Sequence, residues 1–311
     1  MKNIYDVVII GAGPAGMTAA IYAARSNMNV LVVEKGIYGG QMQNTAEIEN
    51  YPSYINITGE ELSEKMYEQM EELGAEYEYG EVLGIKDSEE KIKKVIIKKG
   101  KNEVEVSTYS VIIATGTKNK KLGIEGEEKL SGKGISWCAI CDGAFFGNQH
   151  VYVVGAGDSA VEESMYLTNY AEKVTVLVRS EKMRAQPILQ ERMNKNEKIE
   201  VIWNTEIKEV RGKEKVEELL LVNNKTKEET LVSAGGLFEY IGLLPITEMF
   251  DDLGILNNEN YIVTNEKMET KIKGIYAVGD VREKTLRQII TASGDGSIAG
   301  MEAYKYVEEI K

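Results

Sequence analysis

The chain has 311 residues, a length typical of about two domains. Its hydrophobic fraction of 43% suits folded globular domains and argues against disorder, and its net charge of −13 argues against nucleic acid and anionic membranes as partners. No run of about 18 apolar residues is present, so we expect no membrane span. The N-terminal residues lack the pattern of a secretory signal, and we therefore expect a cytoplasmic protein.

The chain opens with a predicted strand, Tyr5–Ile10, the glycine turn GAGPAG, a helix to about Asn27 and a second strand, Val30–Glu34. This order is typical of a dinucleotide-binding domain, because the glycines let a pyrophosphate approach the N-terminus of the helix. Glu34 ends the second strand, where its carboxylate can accept hydrogen bonds from a ribose. The motif by itself does not distinguish FAD from NAD.

Two other regions favour FAD, an extended cofactor that needs both of its ends held. Gly39-Gly40-Gln41 provides small residues and an amide soon after the ribose position. Gly279-Asp280 and then Arg287-Gln288-Ile289 provide a carboxylate and backbone donors near the start of a helix. The alternative role of Gly279-Asp280 is a helix N-cap.

The two cysteines, Cys138 and Cys141, stand three residues apart. Such a pair in a reducing compartment is typical of redox or metal chemistry. A structural zinc site needs about four ligands, and His150 is the one histidine of the sequence, so we predict a redox-active pair and no metal site. An inert buried pair is the remaining alternative. The adjacent Asp142 is the candidate acid–base group, although a turn residue would fit there as well.

A second glycine turn, GAGDSA, begins at Gly155 between predicted strands Val151–Val154 and Val174–Val178. Here Val178 occupies the ribose position, and Arg179 and Arg184 follow it. Arginine can clamp a 2′-phosphate through two parallel hydrogen bonds, which favours NADPH over NADH. Ordinary surface charge is the alternative interpretation of the two arginines.

Each unit continues into a charged region that alternates with apolar residues and predicts a β-meander, over residues 82–106 and 207–232. Separate apolar strands are then predicted at 111–116, 237–242 and 275–280. We predict an α/β fold of two Rossmann-like, three-layer ββα domains, the second inserted into the first. The FAD-binding domain comprises residues 1–117 and 245–311, and the NAD(P)H-binding domain with the cysteine pair comprises residues 118–244. The 17 tyrosines show no spacing that indicates ring stacking.

The sequence resembles the low-molecular-weight, bacterial-type thioredoxin reductases over essentially its whole length. The matching segments are GAGPAG, GGQMQNTAEIENYP, IIATGT, WCAICDGAFF, VVGAGDSAVEESMYLTN, VGD and LRQIITASGDGSIA. The resemblance implies a homodimer in which electrons pass from NADPH through FAD to a Cys138–Cys141 disulfide and on to thioredoxin. It further implies that Cys141 faces the flavin, that Cys138 attacks the partner disulfide and that Asp142 is the general acid.

The candidate FAD residues are Gly11, Gly13, Pro14, Ala15, Gly16, Glu34, Lys35, Gly40, Gln41, Asn50, Val82, Ala114, Thr115, Gly116, Gly279, Asp280, Arg287, Gln288 and Ile289. The candidate NADPH residues are Gly155, Gly157, Asp158, Ser159, Ala160, Arg179 and Arg184.

The family's NADPH signature His-Arg-Arg-x-x-x-Arg reads Val-Arg-Ser-Glu-Lys-Met-Arg here, and Glu181 adds a negative charge. NADH and reduced ferredoxin therefore remain alternative donors. A flavoprotein of the ferredoxin–NADP reductase kind and a redox-sensing binding protein are the alternative functions. The first has no need of the cysteines, and the second would bind FAD without turnover.

Overall fold

The computed structural model describes residues 4–45, 47–86 and 89–311. Ala46, which belongs to the motif GGQMQNTAEIENYP, and residues 87–88 of the first predicted meander lie outside the described residues. The chain forms two compact units. One runs up to Lys118 and resumes at Pro245–Lys311, and the other is Asn119–Leu244.

Up to the first crossing between the units, the elements are β1 (Tyr5–Ile10), α1 (Pro14–Arg25), β2 (Val30–Glu34), α2 (Gly59–Glu72), β3 (Glu76–Tyr79), β4 (Glu81–Lys86), β5 (Lys93–Lys99), β6 (Asn102–Ile113) and β7 (Thr117–Asn119).

The inserted unit then contains α3 (Glu127–Leu130), β8 (Ile135–Ser136), α4 (Ala139–Asp142), β9 (His150–Gly155), α5 (Asp158–Leu167), β10 (Lys173–Val178), α6 (Pro187–Asn194), β11 (Ile199–Trp203), β12 (Thr205–Arg211), β13 (Glu218–Asn223), β14 (Glu229–Ser233) and β15 (Gly236–Tyr240).

The chain ends with β16 (Leu243–Pro245), β17 (Ile275–Ala277) and α7 (Ile289–Ile310). Short 3₁₀ helices occupy Gly40–Asn44, Gly143–Phe146, Glu248–Leu253 and Gly279–Val281.

The first unit is built on a seven-stranded sheet in the order β3-β2-β1-β6-β5-β4, with β17 also paired to β6. Alternate residues of β1 enter different cores: Val7 and Ile9 pack with α1 and α7, whereas Val8 and Ile10 pack with the β4–β6 meander. Burial on both faces explains the continuous apolar run over residues 7–10 of the strand. These layers confirm the predicted three-layer α/β fold.

The inserted unit repeats this plan with a parallel five-stranded sheet, β11-β10-β9-β15-β8, and an antiparallel three-stranded meander, β12-β13-β14. Its helices α5 and α6 pack on one face of the parallel sheet through Val161, Leu167 and Leu189. The meander packs on the opposite face through Ile207 and Leu219.

Three predictions about local structure were wrong. The segment predicted as a separate strand at 111–116 is the end of the long strand β6, which pairs with β5 through its first half and with β1 through its second half. The strand predicted at 275–280 ends at Ala277, and a 3₁₀ turn follows. Tyrosine rings also stack, since Tyr38 and Tyr67 lie 4.1 Å apart with Tyr77 edge-on to both. Residues distant in sequence meet there, and local spacing carries no sign of it.

Among the residues that the structure describes, no helix is both long and apolar enough to cross a membrane.

Candidate active site

The first glycine turn joins β1 to α1 and leaves space at the start of the helix. Gly11 has a φ of +107°, and a Cβ there would lie 2.3 Å from the carbonyl oxygen of Ala114. A Cβ on Gly16 would collide with the carbonyl of Gly11. By contrast, a Cβ on Gly13 would have no heavy atom within 4 Å. The turn is therefore closed on its protein side and open on the side where a pyrophosphate would approach the N–H groups of α1.

Glu34 stands at the end of β2, beside this turn. Its Oε2 accepts a hydrogen bond from the Ala12 N–H at 2.9 Å, and its Oε1 accepts one from the Gly36 N–H at 2.8 Å. A carboxylate has about four acceptor positions, so each oxygen retains capacity for a ribose hydroxyl. The two backbone bonds hold the side chain in the orientation that such a contact requires.

A cleft opens where the strands of the parallel sheet end. It is lined by five of the residues predicted from sequence, Gly11, Glu34, Lys35, Val82 and Thr115. Residues that the sequence analysis missed complete the lining: Ile10, Val33, Gly80, Glu81, Ile246 and Met249. Ile246 lies about 130 residues after Thr115 in the sequence. The Thr115 hydroxyl donates a hydrogen bond to the Ile246 carbonyl at 2.7 Å. No local pattern marked it.

The predicted second anchoring point contains polar atoms that lack partners. Asp280 Oδ1 and Arg287 Nε are shielded from solvent without a hydrogen-bond partner among the described residues. Burial raises the pKa of Asp280, against the opposing charges of Lys284 and Arg287. Buried polar atoms are normally satisfied, so such an orphaned pair indicates a missing polar ligand. The alternative role of Gly279-Asp280 as the helix N-cap was wrong, because Gln288 caps α7.

Other residues predicted to bind FAD form contacts near the start of α7 and near the first glycine turn. Asn50 Nδ2 donates to Gln288 Oε1 at 3.0 Å, and Gln41 Nε2 donates to the carbonyl of Thr117 at 2.9 Å. A Cβ on Gly40 would lie 3.4 Å from the Cα of Gly13. The remaining predicted positions are Pro14 and Ala15 in the first turn of α1, Ala114 and Gly116 after β6, and Ile289 at the start of α7. The open glycine turn, the ribose-ready carboxylate and the orphaned atoms all fit FAD.

The second glycine turn, in the inserted unit, has the same shape. A Cβ on Gly155 would lie 2.5 Å from the carbonyl oxygen of Tyr240, whereas Gly157 faces open space. Ala160 is fully buried and packs beside Gly155, as the motif requires. Asp158 holds the N-terminus of α6 through two hydrogen bonds from Gln186, and Ser159 beside it is exposed.

The two predicted arginines lie close to this turn. The backbone N–H of Arg184 donates to the carbonyl of Ala156 at 2.6 Å, which ties the arginine segment to the glycine turn. Arg179 follows β10, and its carbonyl accepts a hydrogen bond from Asn224. Glu181, the acidic residue that departs from the family signature, forms an ion pair with Lys225. Its negative charge is therefore offset locally, which leaves an arginine-bearing open turn that fits NADPH.

The cysteine pair lies at the start of the short helix α4, called here the redox helix. Cys138 and Cys141 form a disulfide, which confirms the predicted pairing. Cys138 is the N-cap residue, and its Sγ accepts a hydrogen bond from the Cys141 N–H at 3.2 Å. Cys141 is exposed and Cys138 half-buried. An N–H aimed at sulfur stabilises negative charge on Cys138 once the bond is reduced.

Asp142 is the last residue of the redox helix, and its carboxylate accepts a hydrogen bond from the Ser136 hydroxyl at 2.6 Å. Ser136 Oγ also accepts from the Cys138 N–H at 3.0 Å. One serine thus connects the carboxylate to the first cysteine. Ser136 was not predicted as a site residue, although its place two residues before Cys138 was a usable signal.

Two glutamates near the redox helix, the buried Glu239 and the half-buried Glu163, were also not predicted. Glu239 accepts a hydrogen bond from Trp137 Nε1 at 3.0 Å, and Glu163 lies against Tyr240 behind Ala139. Burial raises the pKa of each carboxyl to about 8. In sequence both residues read as ordinary acidic positions.

Two glycine-turn dinucleotide units and a disulfide beside a carboxylate define a dinucleotide-dependent disulfide oxidoreductase. The family model for pyridine nucleotide-disulphide oxidoreductases matches residues 5–296. The chain is 51% identical over 311 residues to the thioredoxin reductase of Bacillus subtilis, which covers all of this chain and 97% of that protein. It has the same identity to the thioredoxin reductase of Listeria monocytogenes, over all of this chain and 96% of that protein.

Solved structures agree with these matches. The thioredoxin reductase of Lactococcus lactis superposes with a TM-score of 0.95 at 53% identity, covering 98% of this chain and 99% of that one. That of T. acidophilum gives a TM-score of 0.90 at 32% identity, with both chains covered completely. The chain belongs to the pyridine nucleotide-disulphide oxidoreductase family.

Proposed function

We propose that this chain is a thioredoxin-disulfide reductase in which electrons pass from NADPH through FAD to the Cys138–Cys141 disulfide and on to thioredoxin. The disulfide at the N-terminus of the redox helix, with Asp142 four residues from Cys138, carries this proposal. The curated relatives named thioredoxin reductase and matching almost from end to end support it. When bound, FAD supplies a two-electron reductant that NADPH regenerates by hydride transfer.

Each chemical role is assigned to a residue of this chain. Reduction of the disulfide to a thiol and a thiolate takes up two electrons and one proton, and a second proton completes the dithiol; Asp142 is proposed to transfer protons while Ser136 holds its carboxylate. Cys138 is proposed to attack the disulfide of the partner, because the Cys141 N–H stabilises its thiolate. Cys141 is proposed to face the flavin and then to displace the partner from Cys138, which restores the disulfide.

The first unit is proposed to bind FAD and the inserted unit to bind NADPH. The cleft beside Glu34 and the orphaned atoms of Asp280 and Arg287 support the first assignment. The open Gly157 turn, next to Arg184, supports the second. NADPH is favoured over NADH because the two arginines can bind a 2′-phosphate. It is favoured over reduced ferredoxin because a ferredoxin-dependent enzyme has no need of an open glycine turn with arginines beside it.

Anaerobic titration of the oxidised holoenzyme tests the proposal. NADPH is expected to bleach the flavin absorbance and, with thioredoxin present, to give turnover. The same titration is run in parallel with NADH and with reduced ferredoxin as the donor. If NADPH does not bleach the flavin, the donor assignment is wrong. If bleaching occurs but no thioredoxin is reduced, the redox-sensing alternative replaces the reductase proposal.

A homodimer in the cytoplasm belongs to the same proposal. The dimer follows from the resemblance to the thioredoxin reductases, and the cytoplasm follows from the reducing conditions that a dithiol product requires. Sedimentation equilibrium of the holoenzyme should return twice the mass of the 34.6 kDa chain.

A further inference from the structure

A hydrogen-bonded connection runs from a glutamate on α5 to the redox helix. The Tyr240 hydroxyl lies close enough to the Glu163 carboxyl for hydrogen bonding to lower the pKa of that carboxyl. The same hydroxyl accepts the Ala139 N–H at 3.0 Å, and that N–H is also directed at Glu163. Ala139 is fully buried and lies between the two cysteines. The carboxyl therefore lies near the first turn of the redox helix.

The environment of Glu163 favours its neutral form. Its Oε2 is shielded from solvent and has no hydrogen-bond partner among the described residues. A buried carboxylate oxygen without a partner is costly, whereas a neutral acid is less so. Burial, followed by the charge of Glu162, raises the pKa of Glu163 from 4.5 to about 8. Glu163 is therefore mostly protonated at neutral pH.

Other titratable groups surround this acid. Glu162 and Tyr166 lie on the same helix, Tyr240 is on β15, and Asp142 of the redox helix acts electrostatically on Tyr240. Glu162 disfavours ionisation of Glu163, and the Tyr240 hydrogen bond favours it.

We propose that Glu163, acting through Tyr240 and the Ala139 N–H, is a positioning acid that controls how readily the Cys138–Cys141 disulfide is reduced. This inference rests on the proposed function, in which the disulfide accepts two electrons. Addition of two electrons and one proton breaks the S–S bond and leaves one thiol and one thiolate. A thiolate on Cys138 places negative charge at the turn that Glu163 contacts. A neutral Glu163 permits that charge, whereas an ionised one opposes it.

The coupling has a defined sign. Below about pH 8 Glu163 is neutral and does not affect reduction. As the pH rises above about 8, Glu163 ionises in the oxidised protein, and forming a thiolate then requires either two neighbouring anions or uptake of a proton by Glu163. Coupling of one pKa unit between the two groups lowers the dithiol-to-disulfide ratio about tenfold on the alkaline side.

The test measures the dithiol-to-disulfide ratio of the cysteine pair itself. The holoenzyme is equilibrated with reduced and oxidised dithiothreitol between about pH 6.5 and about pH 9.5 and quenched with an alkylating reagent, and the thiols are counted by mass spectrometry. Glu163→Gln keeps the shape of the side chain but cannot ionise. It should match the wild type at the acid end and retain about tenfold more dithiol at the alkaline end.

Two further variants distinguish electrostatic coupling between Glu163 and the disulfide from an effect on local structure. Tyr240→Phe removes a hydrogen bond that lowers the pKa of Glu163, so the wild-type transition should move to higher pH. Glu197→Gln, an exposed position in the same unit, removes the same charge and should behave as the wild type. A wild-type pH dependence in Glu163→Gln overturns the inference, and so does a shift of equal size at every pH. A wild-type cysteine pair that dithiothreitol cannot reduce at any pH contradicts the proposed function instead.

Discussion

Asp142 is the residue whose proposed role depends most directly on its contacts. Its carboxylate accepts the Ser136 hydroxyl at 2.6 Å, and the same hydroxyl oxygen accepts the Cys138 N–H. The carboxylate therefore has a defined place beside the disulfide, fixed by a side chain that binds both partners. A residue that served only as a turn former would not need that bond.

Asp142→Asn should slow reduction of thioredoxin about a hundredfold, because general acid–base groups contribute roughly that much. Stopped-flow absorbance would follow reduction of the flavin by NADPH and its reoxidation by the Cys138–Cys141 disulfide as separate phases. The first phase should stay unchanged. Ser136→Ala, which leaves the acid present but unpositioned, should have a smaller effect. A wild-type second phase in Asp142→Asn would remove the acid–base role.

Arg179 tests the nucleotide assignment at the same scale. Arg179→Ala should weaken NADP⁺ binding about ten- to a hundredfold, since a charged hydrogen bond to phosphate contributes about 1.5–3 kcal/mol. NAD⁺ lacks the 2′-phosphate and serves as the matched ligand, so its affinity should not change. Isothermal titration calorimetry measures both ligands. Equal losses for NADP⁺ and NAD⁺ would mean that Arg179 supports the fold of the site and does not read the phosphate.

At the scale of elements, the first unit depends on close packing of α1 against α7. A Cβ on Gly296 would lie 2.2 Å from the carbonyl oxygen of Ala15, and one on Gly300 would lie 2.7 Å from that of Ala19. Gly294, on the same helix, is exposed and a Cβ there would contact nothing within 4 Å. Gly296 and Gly300 therefore allow the backbones of α1 and α7 to approach closely, whereas Gly294 does not contribute to this contact.

Gly296→Val should destabilise the protein by about 1–3 kcal/mol, because an inserted side chain forces the two helices apart. Gly294→Ala is the matched control and should be neutral or stabilising by up to about 1 kcal/mol, the usual gain when glycine leaves an exposed helix interior. Urea denaturation followed by circular dichroism compares the two variants. Equal stability of both would show that α1 and α7 can separate without cost.

At the scale of the whole molecule, the buried acids make stability depend on pH. Burial, and then the charge of Glu127, raises the pKa of Glu239 to about 8. Glu127 meanwhile accepts the N–H groups of Leu122, Gly123 and Ile124. The folded protein thus holds a proton on Glu239 that the unfolded chain releases at a pH near 4.5. Stability conferred by this group is lost as the pH rises from about 4.5 through about 8.

Glu239→Gln should therefore have a urea midpoint close to that of the wild type near pH 4.5 and a higher one near pH 9, where the wild type carries two neighbouring carboxylates. Glu206→Gln, at an exposed position on β12, is the charge-matched control and should follow the wild type at both pH values. A lower midpoint for Glu239→Gln at alkaline pH would mean that the ionised carboxylate stabilises the fold.

Much of the architecture was predictable from local sequence. Strand β1 has the predicted bounds, Tyr5–Ile10, and its four β-branched residues, 7–10, are what burial on both faces favours. Both glycine turns and the Cys138–Cys141 pair were recognisable for a similar reason, since each requires particular residue types within a few positions. Strand β6 was predicted in two pieces because its two halves have different partners, which sequence spacing does not reveal.

The sequence alone therefore determined the fold class, the dinucleotide turns and the redox pair, whose chemistry lies in neighbouring residues. Only the tertiary structure decided which distant groups meet: Asn50 with Gln288, Glu163 with Tyr240, and Glu127 with Glu239. It also decided that Asp280 and Arg287 each carry a buried atom with no hydrogen-bond partner in the part of the chain that the structure describes. The physical reason is that the protonation state of a carboxyl and the cost of an unmet hydrogen bond depend on what the folded chain packs around them.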